Sequence, residues 1–144
     1  MDFVDLGLSV KWASCNVGAN SPEEFGTYFN FNEAIGIEGL PTMEQWRELQ
    51  SKCKFKYSKK TKMIVVTGPN GNTISFPMAC DRDGAYDKTQ PGAYFWSTKS
   101  ASEKFEKYAY FFFFTKKSKY SDTISPNFNL LDKNKNYISV RTVS

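Results

Sequence analysis

A chain of 144 residues suits one domain with one core and can bury roughly two-thirds of the surface its unfolded form exposes. The net charge of +4 conceals an asymmetry, because residues 1–50 sum to −6 and residues 51–144 to +10. No run approaches the ~18 apolar residues of a membrane span. His is absent, and Cys15, Cys53 and Cys80 are too few and too dispersed for a paired-cysteine zinc site, so His-dependent metal and triad chemistry is excluded.

Leu8 to Ala13 alternates apolar and polar residues, as a half-buried strand does. Ser21-Pro22-Glu23-Glu24 carries an N-cap Ser, a Pro at the first helical position and a Glu closing a capping box, which predicts a short helical turn. Thr42-Met43-Glu44-Gln45 repeats the box, and Trp46, Leu49 and Cys53 then share one face, predicting the main helix over residues 43–53. Lys52, Lys54, Lys56, Lys59, Lys60 and Lys62 read as a solvated edge or loop.

Met63 to Thr67 and Thr73 to Phe76 are strand-like runs joined through Asn70-Gly71, residues that tolerate positive φ, so they predict a hairpin. Residues 79–90 lack periodicity and read as a loop ending at Pro91-Gly92. Tyr94 to Trp96, Tyr108 to Thr115, Phe128 to Leu131 and Tyr137 to Val143 are strand-like, separated by Lys, Ser, Asn and Asp. The prediction is a single α+β domain over residues 1–144 with two short helices early and a mostly antiparallel sheet late. The cysteines form one disulfide and one thiol, with Cys15 and Cys53 a possible pair, or three buried thiols, the latter preferred because Cys packs as a small apolar residue.

Several segments in order carry a resemblance: Val4-Asp5-Leu6-Gly7-Leu8-Ser9-Val10-Lys11-Trp12-Ala13, Cys15-Asn16-Val17-Gly18-Ala19 and Ser21 to Gly26, then Leu40-Pro41-Thr42, Asn70-Gly71-Asn72, Arg82-Asp83-Gly84, Trp96-Ser97-Thr98 and Ser139-Val140-Arg141. Together they resemble bacterial domains of C-type lectin-like fold, the formylglycine-generating-enzyme type. That group includes gut-bacterial surface domains, diversity-generating retroelement variable proteins and phage tropism determinants. The match departs from the family at Thr98, where a second Ser is usual, and at Thr142, where a Pro is usual. It implies a C-type lectin-like fold whose strands and loops after the Trp-Ser motif form a ligand-binding face.

On that face the resemblance places Phe112 and Phe114 toward the core and Phe111 and Phe113 toward the ligand, whereas periodicity alone equally allows a strand buried on both sides. Before the strand the candidates are Lys99, Ser100, Ser102, Phe105, Lys107 and Tyr108. After it they are Lys116, Lys119, Tyr120, Ser121 and Asp122, and near the end Asn134 and Asn136. Exposed aromatics are typical binding anchors, and the flanking cations and hydroxyls would tune selectivity.

Catalysis finds little support. Formylglycine-generating enzymes use a Cys pair near the C-terminus, and no Cys follows Cys80. Asp81, Asp83 and Asp87 are not in EF-hand register, and the calcium-dependent lectin motifs Glu-Pro-Asn and Trp-Asn-Asp are missing. The expectation is therefore a non-catalytic, cofactor-free ligand-binding or adhesion module for a protein or glycan. A surface, extracellular or virion location would follow if a signal or anchor precedes it. The alternative is a nucleic-acid or polyanion binder acting through the basic, aromatic C-terminal portion. A structural subunit of a surface or phage assembly ranks third.

Overall fold

The computed structural model describes residues 2–87, 89–118 and 120–144. In chain order they form β1 (Phe3–Val4), β2 (Trp12–Ala13), α1 (Phe31–Ala34), α2 (Met43–Lys52), β3 (Lys54–Ser58), β4 (Met63–Thr67), β5 (Thr73–Pro77), β6 (Gly92–Ser100), β7 (Tyr108–Lys116) and β8 (Ile124–Asp132). The strands make three antiparallel sheets: β1-β2, β3-β4-β5 and β6-β7-β8. This is a small α+β domain with two helices and mostly antiparallel sheets.

Strand β7 explains the run of five aromatics from Tyr110 to Phe114. It lies centrally in its sheet, and alternate side chains enter two different apolar clusters. On one face Phe112 and Phe114 join Phe76, Phe95 and Trp46, whose indole lies nearly parallel to Phe112 at 5.7 Å between centroids. That layer is closed by α2 and the β3-β4-β5 sheet. On the other face Phe111 packs with Tyr94, Trp96, Phe31, Ile138 and Val140. The two layers communicate through Trp96, whose carbonyl accepts from Trp46 Nε1 at 3.3 Å and whose own Nε1 donates to the Phe29 carbonyl at 2.7 Å.

Helix α2 forms as the capping box requires. Thr42 Oγ1 accepts from the Gln45 amide at 3.2 Å, Gln45 Oε1 accepts from the Thr42 amide at 2.8 Å, and Met43, Trp46 and Leu49 are buried. The hairpin turn also follows the sequence, with Gly71 at φ 90°. The Lys-rich stretch is an edge strand: in β3 Lys54 and Lys56 face solvent while Phe55 and Tyr57 are half-buried.

Three expectations are corrected. The predicted strand from Leu8 shrinks to Trp12–Ala13, because Gly7 turns at φ 85° and the Ser9 amide is taken by the Glu48 carboxylate at 3.1 Å instead of a neighbouring strand. The short helical turn predicted at Ser21 forms as a turn but not as the first of the two helices; in it Ser21 Oγ donates to Glu24 Oε2 at 3.2 Å. Gly26, at φ 75°, ends it, and the chain pairs Thr27 N with the Val17 carbonyl instead. The short helix instead starts at Asn30, which makes a full capping box with Glu33. Residues 137–143 are not a strand. They form isolated bridges to three separate partners, Ile138 to Phe29, Ser139 to Phe95 and Val143 to Trp12.

Cys15, Cys53 and Cys80 are all free thiols, the first and last buried and Cys53 half-buried. Among the described residues no helix is long and apolar enough to cross a membrane.

Candidate functional site

The expected binding residues separate into two groups at opposite ends of β7. The strand is nine residues long, so Tyr108 and Lys116 lie roughly 26 Å apart, and no single small ligand touches both groups. At the first end are Lys99 and Ser100, Ser102 ahead of the tight turn Glu103–Phe105, then Phe105, Lys107 and Tyr108. Asn134 and Asn136 join them, since Lys133 N donates to the Lys107 carbonyl at 2.8 Å.

Much of this end is engaged with itself. Asn134 Oδ1 accepts from Asn32 Nδ2, and Asn136 Nδ2 donates to the Asp132 carbonyl at 3.2 Å. The Asp132 carboxyl is held below its ordinary range by the amides of Asn134 and then Lys135, which outweigh desolvation. The Lys107 ammonium sits 5.2 Å from the Tyr108 ring centroid. Phe105 stands out as an apolar ring that is 50% exposed.

Between the two ends the reading of β7 needs a correction. Phe111 is 3% exposed and belongs to the second core cluster, so it is not on a free face. Phe113 is half-buried, stacked on Tyr94 at 5.4 Å and 6°, and Tyr94 is covered in turn by Tyr86 of the 81–91 loop at 4.6 Å. The strand is therefore the two-sided buried type at Phe111, and the face that carries Phe111 opens only at Phe113. Across from them on β8, Asn129 pairs with Phe111 and Asn127 with Phe113, both exposed.

At the second end Lys116, Tyr120, Ser121 and Asp122 surround the β7-β8 turn, and Lys119 lies outside the described residues. This turn is tied to the β3-β4 hairpin. Tyr57 N donates to the Asp122 carbonyl at 2.9 Å, the Lys59 ammonium is 3.9 Å from Asp122, and the Lys116 ammonium lies 4.3 Å from the Tyr57 ring centroid. The junction of the two hairpins with the 21–26 and 89–91 loops encloses a groove of about 930 Å³. Its apolar lining comes from Tyr57, Met63, Pro77, Met78, Pro91 and Phe25. Its charged rim is Lys62, Lys116 and Lys117, with Glu23 contributed by the 21–26 loop.

A smaller hollow of about 360 Å³ adjoins it, sharing Phe25, Met78 and Pro91 and reaching Tyr28, Cys80 and Asp87. Cys80 has a left-handed backbone, φ 53°, and its sulfur accepts from the Gly92 amide at 3.5 Å. Burial, with Asp87 and Asp81 nearby, pushes its thiol up, so the thiolate needed for nucleophilic chemistry is disfavoured. Tyr28 donates to the Ala79 carbonyl at 2.5 Å, and burial foremost pushes its phenol up to about 12. Asp81 Oδ1 accepts from the Tyr86 amide at 3.2 Å and Asp83 pairs with Arg82 at 3.3 Å. Among the described residues no His, Cys, Asp and Glu side chains gather as a metal site.

Of the sequence candidates Lys116 lines the groove, and Tyr120, Ser121 and Asp122 follow in the same turn; the floor was missed. Its only sequence signal was Met63 and Pro77-Met78 at the closing end of the predicted hairpin, which register as strand ends until the β7-β8 turn is folded over them. No family model, curated protein or solved structure matches the chain.

Proposed function

We propose that the domain is a non-catalytic ligand-binding or adhesion module of C-type lectin-like fold, and that its ligand, a protein or glycan, is received in the groove between the β3-β4 and β7-β8 hairpins. The observation that carries this reading is the groove itself. Its volume of about 930 Å³ falls within the roughly 300–1,000 Å³ of ligand pockets, and an apolar lining with a few converging polar groups is their usual make-up. The aromatic layers beneath are buried and closely stacked, so loops above them can change chemistry without disturbing the scaffold. Support for the lectin-like fold is the ordered series of sequence segments, together with helices that precede an antiparallel C-terminal sheet.

The test is to probe arrays of glycans and peptides with the labelled domain and two variants. Phe25→Asp places a charge on the exposed groove wall, and Lys99→Ala with Lys107→Ala alters the opposite end. The groove reading expects Phe25→Asp to abolish the signals with an unchanged melting temperature, and the paired Ala variant to keep them. The reverse pattern would move the site to the Phe105 end.

The second reading, a nucleic-acid or polyanion binder, draws on the lysines of the two hairpin turns, Lys62, Lys116 and Lys117. It expects binding to heparin or single-stranded DNA that weakens steeply as salt rises.

A further inference from the structure

We infer that the groove takes an acidic amphipathic peptide segment of a protein partner, an apolar side chain flanked by carboxylates. The inference rests on the groove being the ligand site and names the class of ligand.

Charge is the first argument. Lys62 and Lys117 take part in none of the ion pairs among the described residues, whereas the nearby Lys59 is balanced by Asp122. The rim thus holds two ammonium groups outside any of those ion pairs, from separate hairpin turns, beside an apolar floor and with Glu23 as its one carboxylate. Lys62 sits there at φ 60°, a left-handed conformation that an L side chain adopts at a cost. Strain of that kind accumulates where a side chain has to be presented in one direction.

The floor is the second argument. Met63 and Met78 are unbranched and polarisable, the property that lets a surface accept varied apolar side chains. Pro77 and Pro91, whose φ is fixed, line the groove beside those thioethers. Flexible thioethers between cations complement a short apolar sequence between carboxylates.

Openness and hydrogen-bonding capacity separate a peptide from a lipid or a sugar. Of the lining residues only Pro77 and Thr115 are buried, so the groove is an open trough. A long acyl chain gains its affinity by complete removal from water, which a trough does not provide. A sugar ring stacks on a bare aromatic face, but on the floor the Tyr57 ring is already covered by the Lys116 ammonium, and the one bare ring, Phe25, stands on a wall. Lysine also donates without accepting, and Glu23 is the one carboxylate on the rim to receive donated hydroxyls. A carboxylate-bearing segment fits such donors directly.

The experiment is selection of a displayed random-peptide library on the immobilised domain, followed by anisotropy titration of the most enriched peptide. The methyl spectrum of methionine-labelled protein then maps where it binds. The expected result is enrichment of Asp and Glu beside Leu, Met or Phe and shifted Met63 and Met78 methyl signals. Affinity should fall tenfold or more in the Lys62→Glu, Lys117→Glu double variant at unchanged melting temperature. Neutral or basic peptides that shift the same methyls overturn the acidic class and leave the groove reading intact. A uronate or sulfated glycan that shifts them when no selected peptide does overturns the peptide class, again leaving the groove. Enriched peptides that leave both methyls unmoved overturn the inference and the groove reading together.

Discussion

Arg141 Nε donates to Asn16 Oδ1 at 2.9 Å across 125 positions of sequence. The same fully buried guanidinium donates to the Ala13 carbonyl at 3.0 Å and the Ser75 carbonyl at 2.9 Å, and its carbon lies 4.5 Å from the Phe76 ring centroid. One planar fork therefore ties the first strand pair, β5 and the last segment together, and does so with neutral acceptors only. Desolvation pushes its pKa down accordingly. Lys cannot reach three diverging acceptors from a single nitrogen. Arg141→Lys is expected to lower unfolding stability by about 2–4 kcal/mol, and Asn16→Ala by about 2 kcal/mol, since each leaves buried polar groups unpaired. Urea denaturation followed by tryptophan fluorescence checks both, and a loss below 1 kcal/mol for either would remove the keystone role.

Neighbouring phenylalanines of one strand should separate sharply. Phe111 is buried and Phe113 half-buried. Truncation of the first to Ala leaves a cavity and should cost about 3–5 kcal/mol, while the second should cost about 1–2 kcal/mol. Thermal melts of the two variants decide it. Equal losses would mean that Phe113 is core as well.

Lys62 offers a test of strain apart from function. Its amide closes the β3-β4 turn onto the Ser58 carbonyl at 2.7 Å, and a glycine keeps that donor while removing the Cβ that resists φ 60°. Lys62→Gly should raise stability by about 0.5–1 kcal/mol after the added unfolded-state entropy of glycine, while weakening any ligand that relies on the ammonium. A stability decrease on chemical denaturation would show that the turn is relaxed with lysine in place.

Alkali should destabilise the fold. Burial raises Tyr28 to about 12 and Cys53 to about 11, and also raises Tyr94, Tyr86 and Cys80. These groups keep their protons in the folded state after the unfolded chain has begun to lose them near 9 for Cys and 10 for Tyr. Their stabilisation is whole below those values and is lost as pH rises through the folded ones. Arg141 acts with the opposite sign, but it is one group against five. The urea midpoint is expected to fall steadily from pH 8 to pH 11, with phenolate absorbance of the buried tyrosines developing only with unfolding. A flat midpoint would contradict the raised values.

What sequence could reveal followed from whether the physics was local. Helix α2 was legible because Thr42 and Gln45 cap each other within one turn, and the β4-β5 hairpin because Asn70 and Gly71 shape its turn locally. The same box at Ser21 misled, since Gly26 and a tertiary bond from Thr27 to Val17 stop propagation. Residues 137–143 alternate like a strand yet are shared among three partners that no local pattern announces. Phe111 could not be assigned because alternation says only that it opposes Phe112, not whether a second layer covers it. The groove was illegible for the same reason. Tyr57, Met78 and Lys116 belong to segments that meet only once both hairpins are in place.

The dispersed bridging of the final segment also predicts an order of assembly. Ile138, Ser139, Arg141 and Val143 reach Phe29, Phe95, Asn16 and Trp12 respectively, and Ile138 and Val140 belong to the second core layer, so that layer is completed only when the last residues arrive. Most of the loop-closure entropy is then committed before those contacts return any energy, which slows folding as sequence separation grows. A chain cut before Ile138 should accumulate as a collapsed form that binds hydrophobic dye and lacks fixed tryptophan packing, whereas the same segment supplied as a separate peptide should restore the native near-ultraviolet signal.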